Sequence, residues 1–179
     1  MTPDGAPARS SARLTINVPD EGLREGNSPP FAVSRDGRRI ALVVDPGEGP
    51  PQLYLRSLDQ FEAIPMPGTE NARLPFFSPD GQRVGFWADG RLQKVAVTGG
   101  TPIEISDVPL PFRGASWGPD DTIILGGSNT GLQHVSASGG TPVALTTIDA
   151  ERGETYHAWP EVMPDGRDVL FTIQRGSLV

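Results

Sequence analysis

Apolar and polar residues alternate along this chain in short runs bounded by Gly, Pro, Asp or Asn. That is the pattern of half-buried strands between tight turns. Four segments share one design: an apolar run, a turn centred on Asp-Gly, and a second apolar run. They are Phe31-Ala-Val-Ser-Arg-Asp-Gly-Arg-Arg-Ile-Ala-Leu-Val, Pro75-Phe-Phe-Ser-Pro-Asp-Gly-Gln-Arg-Val-Gly-Phe-Trp, Ala115-Ser-Trp-Gly-Pro-Asp-Asp-Thr-Ile-Ile-Leu and Pro160-Glu-Val-Met-Pro-Asp-Gly-Arg-Asp-Val-Leu-Phe. The turn aspartates Asp36, Asp80, Asp120 and Asp165 stand 44, 40 and 45 residues apart. A period of roughly 40–45 with several strands per unit marks propeller blades.

A second repeat interleaves with the first. Leu92-Gln-Lys-Val-Ala-Val-Thr-Gly-Gly-Thr-Pro-Ile-Glu-Ile matches Leu132-Gln-His-Val-Ser-Ala-Ser-Gly-Gly-Thr-Pro-Val-Ala-Leu, and the same slot in the first unit begins at Leu53. Each is two alternating runs around a tight turn, a hairpin. The reading is therefore all-β, a partial β-propeller of about three and a half four-stranded blades. Strands A to D fall at 31–34, 39–44, 52–57 and 61–66 in unit one (29–66). They fall at 74–78, 83–88, 91–97 and 102–106 in unit two (73–106), and at 114–117, 122–126, 131–136 and 141–146 in unit three (113–146). Unit four (157–179) is incomplete, with strands near 158–163 and 168–174. Residues 1–12 read as a disordered tail. Residues 13–18 alternate like the outermost strand of a preceding blade.

Composition narrows the function classes. The 22 Gly and 19 Pro among 179 residues exclude a helical bundle. A net charge of −7 argues against nucleic acid as the main partner. No apolar stretch approaches the ~20 residues of a membrane-spanning helix, so no insertion by this segment is expected. Absence of Cys excludes disulfides and thiolate metal sites, and neither a metal nor a cofactor is expected.

At Pro67-Gly-Thr-Glu-Asn-Ala, Phe76-Phe-Ser-Pro-Asp-Gly, Phe86-Trp-Ala-Asp-Gly-Arg-Leu-Gln-Lys-Val, Ser138-Gly-Gly-Thr-Pro, His157-Ala-Trp-Pro and Met163-Pro-Asp-Gly-Arg, the chain resembles the TolB-like, or WD40-like PD40, β-propeller repeat family. It looks most like the propeller that follows the kinase domain in bacterial membrane-anchored serine/threonine protein kinases. The resemblance runs from about Leu14 to Phe171. It implies a fragment of a six- to eight-bladed ring, a protein or peptide partner, and a periplasmic or extracellular setting. Two positions depart from the repeat: Asp121 stands where Gly is expected and Arg35 where Pro is expected. The kinase signatures, a Gly-rich nucleotide loop, His-Arg-Asp and Asp-Phe-Gly, do not occur in these residues.

Candidate chemistry is sparse. Gly114-Ala-Ser116-Trp-Gly118 has the form of a nucleophile elbow, but a strand rather than a helix is expected after it, so Ser116 reads as an inner-strand residue. Gly126-Gly-Ser-Asn-Thr-Gly131 lacks the Lys and helix of a phosphate cradle. His134 reads as a solvent-facing strand position, and one isolated His is a poor metal site. The turn aspartates read as turn formers. One constellation stands out. The loops joining strand D to the next strand A, 67–73, 107–113 and 147–157, end in Arg73, Arg113 and His157. Equivalent positions in successive blades ring the channel mouth, where cationic groups attract an anion. Pairing of Arg73 with Glu70 and of Arg113 with Asp107 is the competing reading.

The expectation is thus a non-catalytic binding or scaffold module, the sensor or protein-interaction region of a larger protein. Kinase or peptidase activity would then lie in another domain. The rival is the gating propeller of a prolyl-oligopeptidase-like serine peptidase whose catalytic domain lies elsewhere. The apolar edge at 168–174 adds an expectation of self-association.

Overall fold

The computed structural model describes residues 30–109 and 111–176. The tail at 1–12 and the strand expected at 13–18 lie outside the described residues. Three four-stranded antiparallel sheets and one two-stranded sheet follow each other along the chain. The first holds β1 (Phe31–Val33), β2 (Arg39–Val44), β3 (Gln52–Ser57) and β4 (Ile64–Pro65). The second holds β5 (Arg73–Phe77), β6 (Arg83–Ala88), β7 (Arg91–Ala96) and β8 (Ile103–Asp107). The third holds β9 (Phe112–Trp117), β10 (Thr122–Gly127), β11 (Gln133–Ser136) and β12 (Val143–Ala144), and the last pairs β13 (Glu154–Val162) with β14 (Val169–Arg175). Within every sheet, spatial order equals chain order, and the first strands of consecutive sheets touch. This is a partial β-propeller with an all-β core.

The turn chemistry explains the repeat. Asp36, Asp80, Asp120 and Asp165 each accept, through Oδ1, the backbone N–H two residues on, at 2.9–3.2 Å. Ser34 and Ser78 donate a further bond of 2.6 Å to Asp36 and Asp80. These bonds hold the carboxyls of Asp36, Asp80 and Asp120 below the ordinary aspartate value. Gly37, Gly81 and Gly166 then take φ of 66–71°. In unit three Asp121 adopts the same conformation, φ 60°, and its carboxylate accepts the Trp117 indole N–H at 3.0 Å. The departure from Gly is thus compensated by a side-chain hydrogen bond.

Packing between blades supplies the cohesion. Ala41, Val43 and Leu53 of the first sheet meet Val84, Phe86 and Val95 of the second. Leu74, Phe76, Trp87 and Leu92 meet Trp117, Ile123 and Leu125 of the third. Phe86 is fully buried, and truncating such a ring to Ala costs ~3–5 kcal/mol. The distal end of the Phe76 ring fills the space beside Gly85, its cross-strand partner, leaving no room for a Cβ there. Polar ties add to this contact: Arg39 Nη1 donates to Gly81 O at 3.0 Å, and Lys94 Nζ to Ala137 O at 2.6 Å. Burial, and then the nearby Arg83, push the Lys94 ammonium below its ordinary pKa.

The outer strands are blunted. β4 contains Pro65, and Pro102 and Pro142 directly precede β8 and β12, so each outer edge lacks a donor. β4 and β12 shrink to two residues each, shorter than the expected 61–66 and 141–146. The fourth unit also departs from expectation. Asp149 caps a 3-10 turn at Ala150–Arg152, Gly153 ends it in the left-handed conformation, and β13 begins at Glu154. His157, expected at the end of a loop, therefore lies inside a strand.

Candidate functional site

The first strand of each sheet, β1, β5, β9 and β13, is also the terminal strand of that sheet, so one backbone edge has no sheet partner among the described residues. Together these strands bound a groove of about 350 Å³ along the axis of the arc. Three of them carry the same irregularity. Leu74, Gly114 and Trp159, each six residues before its turn aspartate, have φ of 51°, 88° and 54°. The β5–β6, β9–β10 and β13–β14 registers all shift beside them. Such bulges re-aim the side chains that follow. Positive φ is strained for residues as bulky as Leu and Trp.

The bulges give the groove its walls. Phe31, Phe76, Phe77, Trp117 and Trp159 line it, with the small Ala32 and Ala115 between them. Phe31 and Val33 are half exposed within it. Two charged side chains open into it, Arg35 from the β1–β2 turn and Glu161 from β13. Arg35 Nη2 donates to Val162 O at 3.5 Å, linking the first blade to the fourth. Ser116 Oγ accepts the Val162 N–H at 3.0 Å. Ser116 lies within a strand with another strand after it, so the Gly-Xaa-Ser-Xaa-Gly run forms no elbow.

The sequence-derived residues sit at the other end of these strands. Arg73 directly precedes Leu74, and its guanidinium lies 5.7 Å from the centre of the Trp87 ring. Arg113 directly precedes Gly114. Its guanidinium stacks 4.4 Å from the centre of the Tyr156 ring, and Nε donates to Ser128 Oγ at 2.6 Å. Neither arginine forms the loop ion pair considered above. Glu70 instead accepts from Gln52 and from the Gly68 backbone, and Asp107 faces Arg91. Cation–π contact holds both guanidinium groups at strand ends that adjoin the groove lining.

His157 is 3% exposed, so it does not present its ring at the surface. Its Nδ1 lies 2.7 Å from Thr146 Oγ1 and its Nε2 3.2 Å from Glu154 Oε2. Thr146 Oγ1 also accepts the Leu132 N–H at 2.8 Å, so its own proton is free to go to Nδ1. The carboxylate of Glu154 further accepts the Asp149 N–H at 2.8 Å. That bond, and then the contact with His157, hold Glu154 below the ordinary glutamate value. A hydroxyl, an imidazole and a carboxylate in line suggest a proton relay. Here they join the segment after β12 to β13 and fix the half-blade against its neighbour. No group of three or more His, Cys, Asp and Glu side chains suited to a metal occurs among the described residues. Sequence reasoning missed Arg35 and Glu161 as groove residues. The signal was present at Arg35, where a repeat proline is replaced.

No family model matches the chain, and no curated protein matches its sequence. Solved structures do match its fold. TolB from Acinetobacter baumannii superposes with a TM-score of 0.65 at 18% identity, over 79% of this chain and 36% of that one. A gluconolactonase from Xanthomonas campestris gives 0.66 at 15% identity, over 89% and 57%. An oligogalacturonate lyase from Vibrio parahaemolyticus gives 0.60 at 14%, over 81% and 45%. The chain thus spans between 36% and 57% of the length of these proteins. The expectation that it has no activity of its own does not stand, because this fold also carries a lactonase and a lyase. The similarity does not single out the kinase-associated propellers. At these identities it shows the fold alone, a partial β-propeller of the kind found in TolB and related proteins.

Proposed function

We propose that this chain is a ligand-binding propeller module whose axial groove takes an extended peptide segment of a partner protein. On this reading it serves as the sensor or protein-interaction region of a larger protein. The observation that carries the reading is one aromatic groove bounded by the terminal strands of four sheets, whose inner edges have no sheet partner among the described residues. Free edges offer backbone donors and acceptors to an extended chain, and pockets between aromatic rings take alternate side chains. Arg73 and Arg113, held at the strand starts, attract an anionic group on the same ligand.

The test is selection of extended peptides displayed on phage against the purified chain. Ala32→Arg, which fills the groove from β1, should abolish capture while leaving the melting transition in place. Alanine at both Arg73 and Arg113 should weaken capture. Equal capture by the Ala32→Arg variant overturns the reading. A second reading, an enzyme acting on carbohydrate, draws on the solved lactonase and lyase of this fold. Turnover of a sugar lactone or of oligogalacturonate by the purified chain would favour it.

A further inference from the structure

Two charged side chains stand where the other units carry uncharged residues, and both open into the groove. Arg35 occupies the turn position held by Pro79, Pro119 and Pro164 in the other units. Pro presets φ at that position, so Arg35 gives up a local stabilisation. The structural return is small: its hydrogen bond to Val162 O is 3.5 Å long, at the outer limit of such contacts. Glu161 occupies the inner-strand position held by Ala32, Phe76 and Ser116. Its side chain is exposed in the groove. Among the described residues neither Arg35 nor Glu161 belongs to an ion pair. Local rules broken without structural compensation are expected where a ligand supplies it.

The two charges have opposite sign, arise from the first and last blades, and meet a groove walled by Trp117 and Trp159. Between aromatic walls, water is partly displaced and a charge–charge contact is stronger than in bulk solvent. Arg offers a planar fork to a carboxylate, and Glu accepts from an ammonium or guanidinium. We propose that the groove selects a dipolar ligand, with a carboxylate on Arg35 and a cationic group on Glu161. This inference rests on the groove being the binding site, and it names the chemistry of what binds there. The dipole has two sources, the two termini of a free amino acid or the acidic and basic side chains of one peptide.

Calorimetric titration with three probes separates them: free L-phenylalanine, its N-acetyl amide, and an acetylated and amidated Lys-Ala-Glu. At least one dipolar probe should bind about tenfold or more tightly than the neutral amide. L-phenylalanine taking that place assigns the termini, and the capped tripeptide assigns the side chains. Arg35→Gln and Glu161→Gln should each remove the preference without lowering affinity for the neutral amide. Both positions are exposed, so unchanged melting checks the fold. The double exchange Arg35→Glu with Glu161→Arg should recover more of the preference than either single reversal. Equal binding of dipolar and neutral probes, no binding of either dipolar probe, or an unchanged preference in the Gln variants overturns the proposal. The groove reading survives any of these results as long as Ala32→Arg still blocks peptide capture.

Discussion

Trp159 lies directly on Gly114: a Cβ at position 114 would come within 2.9 Å of the indole Cε3. One residue supplies a missing side chain and the other fills its place, and both have positive φ. This contact joins the third blade to the fourth along the groove wall. Gly114→Ala adds left-handed strain of ~1–2 kcal/mol and an overpacked contact of similar size. The expected loss is about 2–4 kcal/mol, read as a lower denaturant midpoint at constant slope.

The Asp121 turn separates backbone conformation from hydrogen bonding. Asp121→Gly relieves the strain of φ 60° but leaves the part-buried indole N–H of Trp117 without its acceptor. An unsatisfied donor costs ~1–3 kcal/mol, and the relief is about 1 kcal/mol. Asp121→Gly should therefore destabilise modestly, although it restores the residue of the other units. Asp121→Asn keeps an acceptor and tolerates positive φ, so its midpoint should stay within about 0.5 kcal/mol of the parent. A more stable Gly variant would show that the indole bond contributes nothing.

These residues also mark how far the sequence carries. Asp-Gly turns, Gly-Gly hairpins and alternating runs are local signals, and they place the strands of three blades to within a few residues. The bulges at Leu74, Gly114 and Trp159 are not local signals, since neither Leu nor Trp announces a positive φ. They shift which side chains face the axis, and so the groove lining escapes an alternation rule. His157 escaped for a related reason. A capped turn at 150–152 ends the polar segment early, and β13 starts at Glu154. Burial of the imidazole then depends on Thr146, eleven residues away, and on the Phe171 ring at 5.0 Å.

Acid should unfold this chain through identifiable carboxylates. Glu154 has a pKa below the ordinary glutamate value in the folded state, so it stays ionised to lower pH there than in the unfolded chain. Its stabilisation is full above about pH 4.3 and is lost as pH falls through the folded-state pKa. Asp36, Asp80 and Asp120 act in the same direction below about pH 3.9. Melting temperature should decline steeply across this range. Glu154→Gln should flatten the upper part of that decline, and an unchanged profile would remove Glu154 from the account.

Thr146→Val tests the link between the third and fourth blades. Val keeps the volume and removes Oγ1, which leaves both the Leu132 N–H and His157 Nδ1 without a partner. Two orphaned groups at ~1–2 kcal/mol each predict a loss of about 2–4 kcal/mol. Thr146→Ser retains the hydroxyl and should lose less than half as much. Hydrogen exchange at the Leu132 amide should accelerate in the Val variant and not in the Ser variant.

The last expectation concerns β14, whose outer edge has no sheet partner among the described residues. Each other outer strand carries or follows a Pro, whereas residues 169–175 hold neither Pro nor Gly. Leu170 and Ile173 are 67% and 42% exposed on it. Met163 N donates to Asp168 O, and Gly176 N to Gly153 O, so even-numbered positions turn their backbone groups toward β13. The N–H and C=O of Val169, Phe171, Ile173 and Arg175 therefore face outward, a template for another strand. Second copies of the chain are expected to add there, and light scattering should show an apparent mass that rises with concentration. Ile173→Pro removes an outward donor without breaking a bond to β13 and should return the chain to a monomer. A parent chain that stays monomeric at high concentration would rule this out.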